Sequence, residues 1–244
     1  MGIPANGKFK ITLIGSAKSY DFIVTSAGKV YEAGKRYTAN IPGTSGIAWA
    51  QAFSEFRFTI HLGNSSSYTI YQKAASTSPA NLTIEWGDGT TTDFAKGDQL
   101  QQAIASHNTY TMGNTYTITI RSDQADPSQK QLPELRFKGG GNSGDKEVKA
   151  ILDPFPNMEA TDFNQTFKNA TNLTSIPSGL FRYNPNATSF RECFHSCNAL
   201  TTIPERLFFY NPNATDFYQC FYSCKNLVLV TTMFPNPATE PNFL

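Results

Sequence analysis

The sequence predicts a mainly β chain with short helices that ends in a repeat solenoid. Three observations carry this. Residues 160–236 restate themselves with a period of 27. The segments before them hold short runs of alternating apolar and polar residues, rich in aromatic and β-branched side chains. Turn chemistry punctuates both parts, as Gly87-Asp88-Gly89 and as Asn184-Pro185-Asn186.

The repeat organises the rest. Its first block, Ala160 to Asn186, and its second, Ala187 to Asn213, both close on Tyr-Asn-Pro-Asn; the third starts at Ala214 and decays after Val230. The fixed positions are apolar. Phe163, Phe190 and Phe217 hold one, and Phe167, Phe194 and Phe221 hold the position four later. Leu173, Leu200 and Leu227 follow, then Ile176, Ile203 and Val230. Aromatics at i and i+4 share a helical face, so a short helical turn is expected from about Asp162 to Lys168. The Leu-x-x-Ile step before Pro177 or Pro204 reads as extended, because a residue preceding proline is pushed out of the α region. A period of 20–29 is the mark of a leucine-rich-repeat solenoid, in which one coil cannot bury its apolar face but stacked coils can.

The positions that change between blocks are polar: Asn164, Arg191 and Tyr218; Lys168, His195 and Tyr222; Ser178 and Glu205. These are expected to face water or a partner. Tyr218, Tyr222, His195 and Arg191 are the candidate ligand-binding residues, because tyrosine offers flat apolar area with a polar tip. Tyr183 and Tyr210, beside Asn-Pro-Asn, are expected to pack coil on coil.

Phe167-Lys-Asn-Ala-Thr-Asn-Leu-Thr-Ser-Ile-Pro177 and Phe194-His-Ser-Cys-Asn-Ala-Leu-Thr-Thr-Ile-Pro204 resemble the Phe-x-x-Cys-x-x-Leu-x-x-Ile-Pro core of BspA-type leucine-rich-repeat surface proteins. The resemblance covers roughly the last third of the chain. It implies a bacterial surface or secreted protein that mediates adhesion. The chain departs from the family in having few repeats.

Upstream, residues 1–53 are expected to form a small β-rich unit with strands at Lys8–Ile14, Tyr20–Thr25 and Lys35–Ile41. A linker follows at 43–53, with a helical turn around Ile47 to Phe53. Strands are expected next at Phe56–Ile60, Tyr68–Tyr71, Leu82–Trp86 and Tyr116–Ile120. Trp86-Gly-Asp-Gly-Thr90, with His107-Asn-Thr-Tyr110 and Gly113-Asn-Thr-Tyr-Thr-Ile-Thr-Ile120, resembles the polycystic-kidney-disease (PKD) domain, an immunoglobulin-like sandwich. That resemblance implies a β-sandwich over 54–125 that spaces or supports binding modules. An extra stretch, Ala95 to Ser106, separates the two halves, and Gln99 to Ala105 is expected to form a helical turn. Residues 133–244 are then the solenoid, with Val148, Ile151 and Phe155 as its N-terminal cap. Gly139 to Gly144 is a loop between the strands at Leu135–Phe137 and Val148–Leu152. It lacks the Gly-Lys-Ser/Thr ending of a phosphate loop and reads as a connector.

Charge excludes some functions. Twenty basic and 19 acidic residues leave a net charge of +1 over 244 residues, without the basic face that nucleic acid needs. No apolar run is long enough to span a bilayer, so no membrane insertion is expected. Met1 to Gly7 lacks the basic start and apolar middle of a signal peptide. Either this is a fragment of a mature, exported chain or the protein is not exported by that route; the surface-protein resemblance favours the first.

The four cysteines form two Cys-x-x-x-Cys pairs one period apart, Cys193/Cys197 and Cys220/Cys224. Stacked buried thiols are the leading reading. Disulfides between coils and a Cys₄ zinc site stay open beside it, although the spacing is unusual for zinc. His61, His107 and His195 sit in unrelated segments, and no hydrolase or metalloprotease motif appears. Asp88 reads as a turn residue in preference to a calcium ligand. The expectation is a non-enzymatic extracellular or cell-surface binding protein without catalytic residues, metal or cofactor, whose partner is a protein or glycan. A phage-tail receptor-binding module and an accessory carbohydrate-binding part of a polysaccharide-degrading protein are the alternatives.

Overall fold

The computed structural model describes residues 8–14, 19–25, 54–124, 128–137 and 145–228. The chain divides into two compact units, Met1–Ala50 and Gln51–Leu244. In the first, β1 (Lys8–Ile14) pairs antiparallel with β2 (Ser19–Thr25), from Lys8 opposite Thr25 to Ile14 opposite Ser19. Both strands fall where the sequence placed them. The expected strand at Lys35–Ile41, the linker at 43–53 and the loop at Gly139–Gly144 lie outside the described residues.

The second unit is mainly β, with antiparallel sheets and no helix among the described residues. Its strands are β3 (Ser54–His61), β4 (Tyr68–Gln72), β5 (Ser76–Thr77), β6 (Leu82–Glu85), β7 (Thr91–Phe94), β8 (Gln99–Leu100), β9 (Ala103–His107), β10 (Thr115–Ser122), β11 (Leu135–Arg136) and β12 (Val148–Ile151). One sheet runs β12-β3-β10-β6-β7, a second β11-β4-β9, and β5 pairs β8. Alternation builds the core: Phe56, Phe58 and Ile60 of β3 are fully buried, while Arg57 and Thr59 point away between them. Tyr68 and Ile70 of β4, Leu82 and Ile84 of β6, and Ile118 and Ile120 of β10 complete it. The two larger sheets meet where the rings of Phe58 and Tyr68 lie 6.0 Å apart.

The helical turn expected at Gln99 to Ala105 is instead strand. β9 pairs with β4 and turns Ile104 into the core, so neighbouring backbone overrides a weak local pattern. Gly87 and Gly89 do form the tight turn, with φ of 82° and 93°.

Residues 160–228 stack as tiers of turns. Phe163, Phe190 and Phe217 form one column, with centroids 5.5 Å apart at each step. Phe167, Phe194 and Phe221 form another, at 5.1 and 5.3 Å, which Phe137 extends by a further 5.1 Å step. The backbone follows the rings. Phe163, Gln165, Phe167 and Asn169 donate to the carbonyls of Ser189, Arg191, Cys193 and His195, one tier on. Phe190, Glu192, Phe194 and Ser196 donate in turn to Asp216, Tyr218, Cys220 and Tyr222.

This pattern corrects the helix expected at Asp162 to Lys168. The intervening amides of Thr166, Lys168 and Ala170 bond three residues back, to Phe163, Gln165 and Phe167, whereas an α-helix bonds four back. Gln165 and Asn169 sit at φ of 57° and 61°, in the left-handed region, as do Glu192, Ser196, Gln219 and Ser223 in the following tiers. Such residues cost about 1–3 kcal/mol each; the hydrogen bonds between tiers offset that. Aromatic spacing of four suits this ribbon of turns as well as it suits a helix.

Asparagines tie the opposite corner. Asn184 Oδ1 accepts from the amides of Met158 and Ala160, while its Nδ2 donates to the Pro156 carbonyl. One tier on, Asn211 Nδ2 donates to the carbonyls of Phe181 and Asn184. Asn211 Oδ1 has no partner among the described residues, because Pro185 stands where Met158 supplied an N–H.

The packing continues from sheet to tiers. β12 pairs with β3 along one edge; along the other, Ala150 makes a parallel bridge to Ser175, and Ile151 N and Thr174 N bond to Ser175 and Lys149. The expected cap residues Val148, Ile151 and Phe155 are buried here. Phe155 stacks on Phe56 at 5.0 Å and on Phe163 at 5.7 Å. No helix among the described residues is long and apolar enough to cross a membrane.

Candidate functional site

Tyr218 and Tyr222 lie on the third tier, 52% and 47% exposed. Their carbonyls accept the amides of Glu192 and Ser196, which sets them one tier from Arg191 and His195. The four candidate residues therefore meet as two pairs in contact. The Arg191 guanidinium sits 4.5 Å over the Tyr218 ring, and the His195 and Tyr222 rings are 5.3 Å apart. Cation–π contact at such exposed sites is worth about 0.5–1 kcal/mol, enough to bias a rotamer.

The charges on this face are matched. Arg191 Nε is 3.0 Å from Asp216 Oδ2, which also accepts from Ser189 Oγ; Asp216 Oδ1 accepts from Tyr218 N. Burial alone would raise the Asp216 carboxyl; the bonds from Tyr218 N, Arg191 and Ser189 outweigh it and hold the group below its usual range. One tier back, Lys168 pairs with Glu192, which Gln165 Nε2 also contacts at 2.8 Å. The face thus offers two aromatic rings bordered by neutralised charge.

The four cysteines are free thiols. Cys193, Cys197 and Cys220 are buried and Cys224 is half-buried. Cys197 Sγ donates to the Phe167 carbonyl at 3.2 Å, and Cys224 Sγ repeats the contact to Phe194 at 3.0 Å. They pack as small side chains inside the tiers, and burial raises all four above the ordinary thiol range. Among the described residues no group of three or more His, Cys, Asp or Glu is placed to hold a metal ion.

His107 belongs to the sheets. Its ring stacks on Trp86 at 5.2 Å, and its Nε2 lies 2.6 Å from Asp88 Oδ2. Asp88 Oδ1 accepts from Thr90 N and Oγ1, which is the turn role expected of it. His61 pairs separately with Thr115. Tyr210 packs across tiers, its ring 3.3 Å from where a Cβ on Gly179 would lie.

Sequence reasoning missed a cleft. A cavity of about 410 Å³ opens beside the Tyr-Asn-Pro-Asn corner, lined by Asn157, Glu159, Arg182, Tyr183 and Asn186 among others. The available signal was Arg182 itself, a charge where the next block has Phe209.

No family model, curated protein or solved structure matches the chain.

Proposed function

We propose that the chain is a non-enzymatic binding or adhesion protein, secreted or held at a bacterial cell surface. It recognises a protein or glycan through Tyr218, Tyr222, His195 and Arg191. One observation carries this: two half-exposed tyrosines each lie against a side chain of the preceding tier, Tyr218 beneath the Arg191 guanidinium and Tyr222 tilted against the His195 ring, on a face whose charges are already paired. Rings held in place lose little freedom on binding. The leucine-rich-repeat solenoid reading is supported by phenylalanine columns and by hydrogen bonds that step one period along the chain. The PKD-like sandwich is supported by the Gly-Asp-Gly turn and by the Trp86–His107 stack beneath it. In this reading residues 54–125 support, and residues 133–244 present, the recognition face.

The test is a glycan array and a panel of extracellular matrix proteins, probed with the native chain and with Y218A/Y222A. A ligand held by the native chain and weakened about tenfold or more by the double substitution supports the reading. Equal binding by both proteins, or no binding to either panel, sinks it.

A further inference from the structure

The cleft beside Arg182 uses a different part of the tier from the tyrosine face. Four of the six arginines of the second unit have a carboxylate partner: Arg57 with Asp153, Arg121 with Glu55 and Glu85, Arg136 with Asp162 and Arg191 with Asp216. Arg182 has none among the described residues. Its guanidinium lies 4.7 Å over the Tyr183 ring, and its Nε is buried without a hydrogen-bond acceptor among the described residues. A buried donor left unpaired costs about 1–3 kcal/mol. A carboxylate is the acceptor that a guanidinium fork fits best.

The rim narrows the choice of ligand. Glu159 is exposed on the same cleft and forms no ion pair among the described residues. Its backbone is fixed at φ 54°, with its N–H donated to Asn157 Oδ1 at 2.9 Å. A lone small anion gains nothing from this carboxylate and is repelled by it. A ligand carrying hydroxyl groups beside its acid donates to it. Asn186, exposed on the same rim, adds an amide, and Tyr183 adds an aromatic wall. Asn184 is already committed through both ends of its amide. The cavity volume falls in the range of about 300–1,000 Å³ typical of small-molecule sites.

We propose that this cleft binds an acidic sugar residue of the uronic-acid type, its carboxylate on Arg182 and its hydroxyls on Glu159 and Asn186. The site stands independently of the tyrosine face.

Calorimetric titration of the whole chain with D-glucuronate, D-glucose and acetate tests it. Glucuronate is expected to bind about tenfold or more tighter than either of the others, the worth of one charge-assisted contact. R182K is expected to lose that preference with an unchanged melting temperature, because lysine keeps the charge but not the fork. E159Q is expected to weaken glucuronate and to leave acetate no weaker, and it decides the matter should R182K melt early. Y218A/Y222A should leave the titration unaltered. Glucose binding as well as glucuronate removes the role of Arg182. Acetate binding as well as glucuronate reduces the site to a bare anion pocket. No heat with any of the three, or unchanged affinity in R182K, overturns the proposal outright.

Discussion

The rings of Phe194 and Phe221 lie 5.3 Å apart with their planes 1° from parallel. Phe194 has Phe167 on its other face at 5.1 Å and is fully buried; Phe221 retains 7% exposure. Truncating Phe194 leaves a closed void between two tiers. F194A is therefore expected to cost about 3–5 kcal/mol in a urea titration followed by fluorescence. F221A should cost less, because its site is open enough to relax or admit water. Equal losses would mean that the columns do not bear the load.

Gly87 and Gly89 share a turn and a positive φ but differ in surroundings. A Cβ on Gly87 would lie 2.5 Å from the Thr117 carbonyl oxygen; one on Gly89 would meet nothing within 4 Å. G87A is expected to destabilise by about 3 kcal/mol or more, through backbone displacement added to strain. G89A should cost only the strain, about 1–2 kcal/mol. The difference in denaturation midpoint between the two variants measures the close approach of the turn to β10.

Asp145 is buried, with Tyr68 Oη donating to Oδ2 at 2.5 Å and the amides of Glu147 and Val148 donating to Oδ1. Burial raises its carboxyl to about 6 against the pull of those bonds. The folded state thus holds the proton more tightly than the unfolded one. Its contribution is fully present below about pH 4 and is lost as pH rises through about 6, on the order of 3 kcal/mol. Asp88, Asp162, Glu192 and Asp216, all held low, act in the opposite sense at more acidic pH. D145N should therefore gain on the native protein as pH is raised from 4 to 7. A stability difference that stays flat with pH would refute this.

The thiols give a chemical test of the same tiers. Cys224 is the least buried, and burial still raises it to about 11; the other three are buried. In the folded protein at neutral pH a disulfide reagent is expected to react slowly, with Cys224 first. In denaturant all four should react at once. Rapid labelling of Cys193 or Cys220 without denaturant would show that the tiers open.

Tyr218 and Tyr222 point outward, so replacing them should hardly alter stability. Y218A and Y222A are each expected within about 0.5–1 kcal/mol of the native chain. Y218A also frees Arg191 from its ring while leaving Asp216 as its partner. A large drop in melting temperature would make these residues structural and remove the rationale for the binding assay.

The apolar rungs were legible in the sequence because burial has to recur with the period, and every phenylalanine in the two columns is buried. β3, β4, β6 and β10 were legible from alternation. β7 was not, because Thr91-Thr92-Asp93-Phe94 sits at a sheet edge and carries little apolar signal. The turns at Asp162 to Lys168 read as helix in the sequence, since ring spacing constrains which face a residue occupies but not the sign of φ at Gln165. The pairing of Arg191 with Tyr218 and of His195 with Tyr222 follows from the period once stacking is granted. The Arg182 cleft does not, because it depends on Glu159, which precedes the first complete block.

β12 carries hydrogen bonds on both edges, antiparallel to β3 and parallel to the segment at Thr174–Ser175. Sheet and tiers therefore share a single strand, and β12 is the element through which a displacement of the first tier reaches β3. Removing β12 would strip one edge from β3 and one from the first tier in the same step.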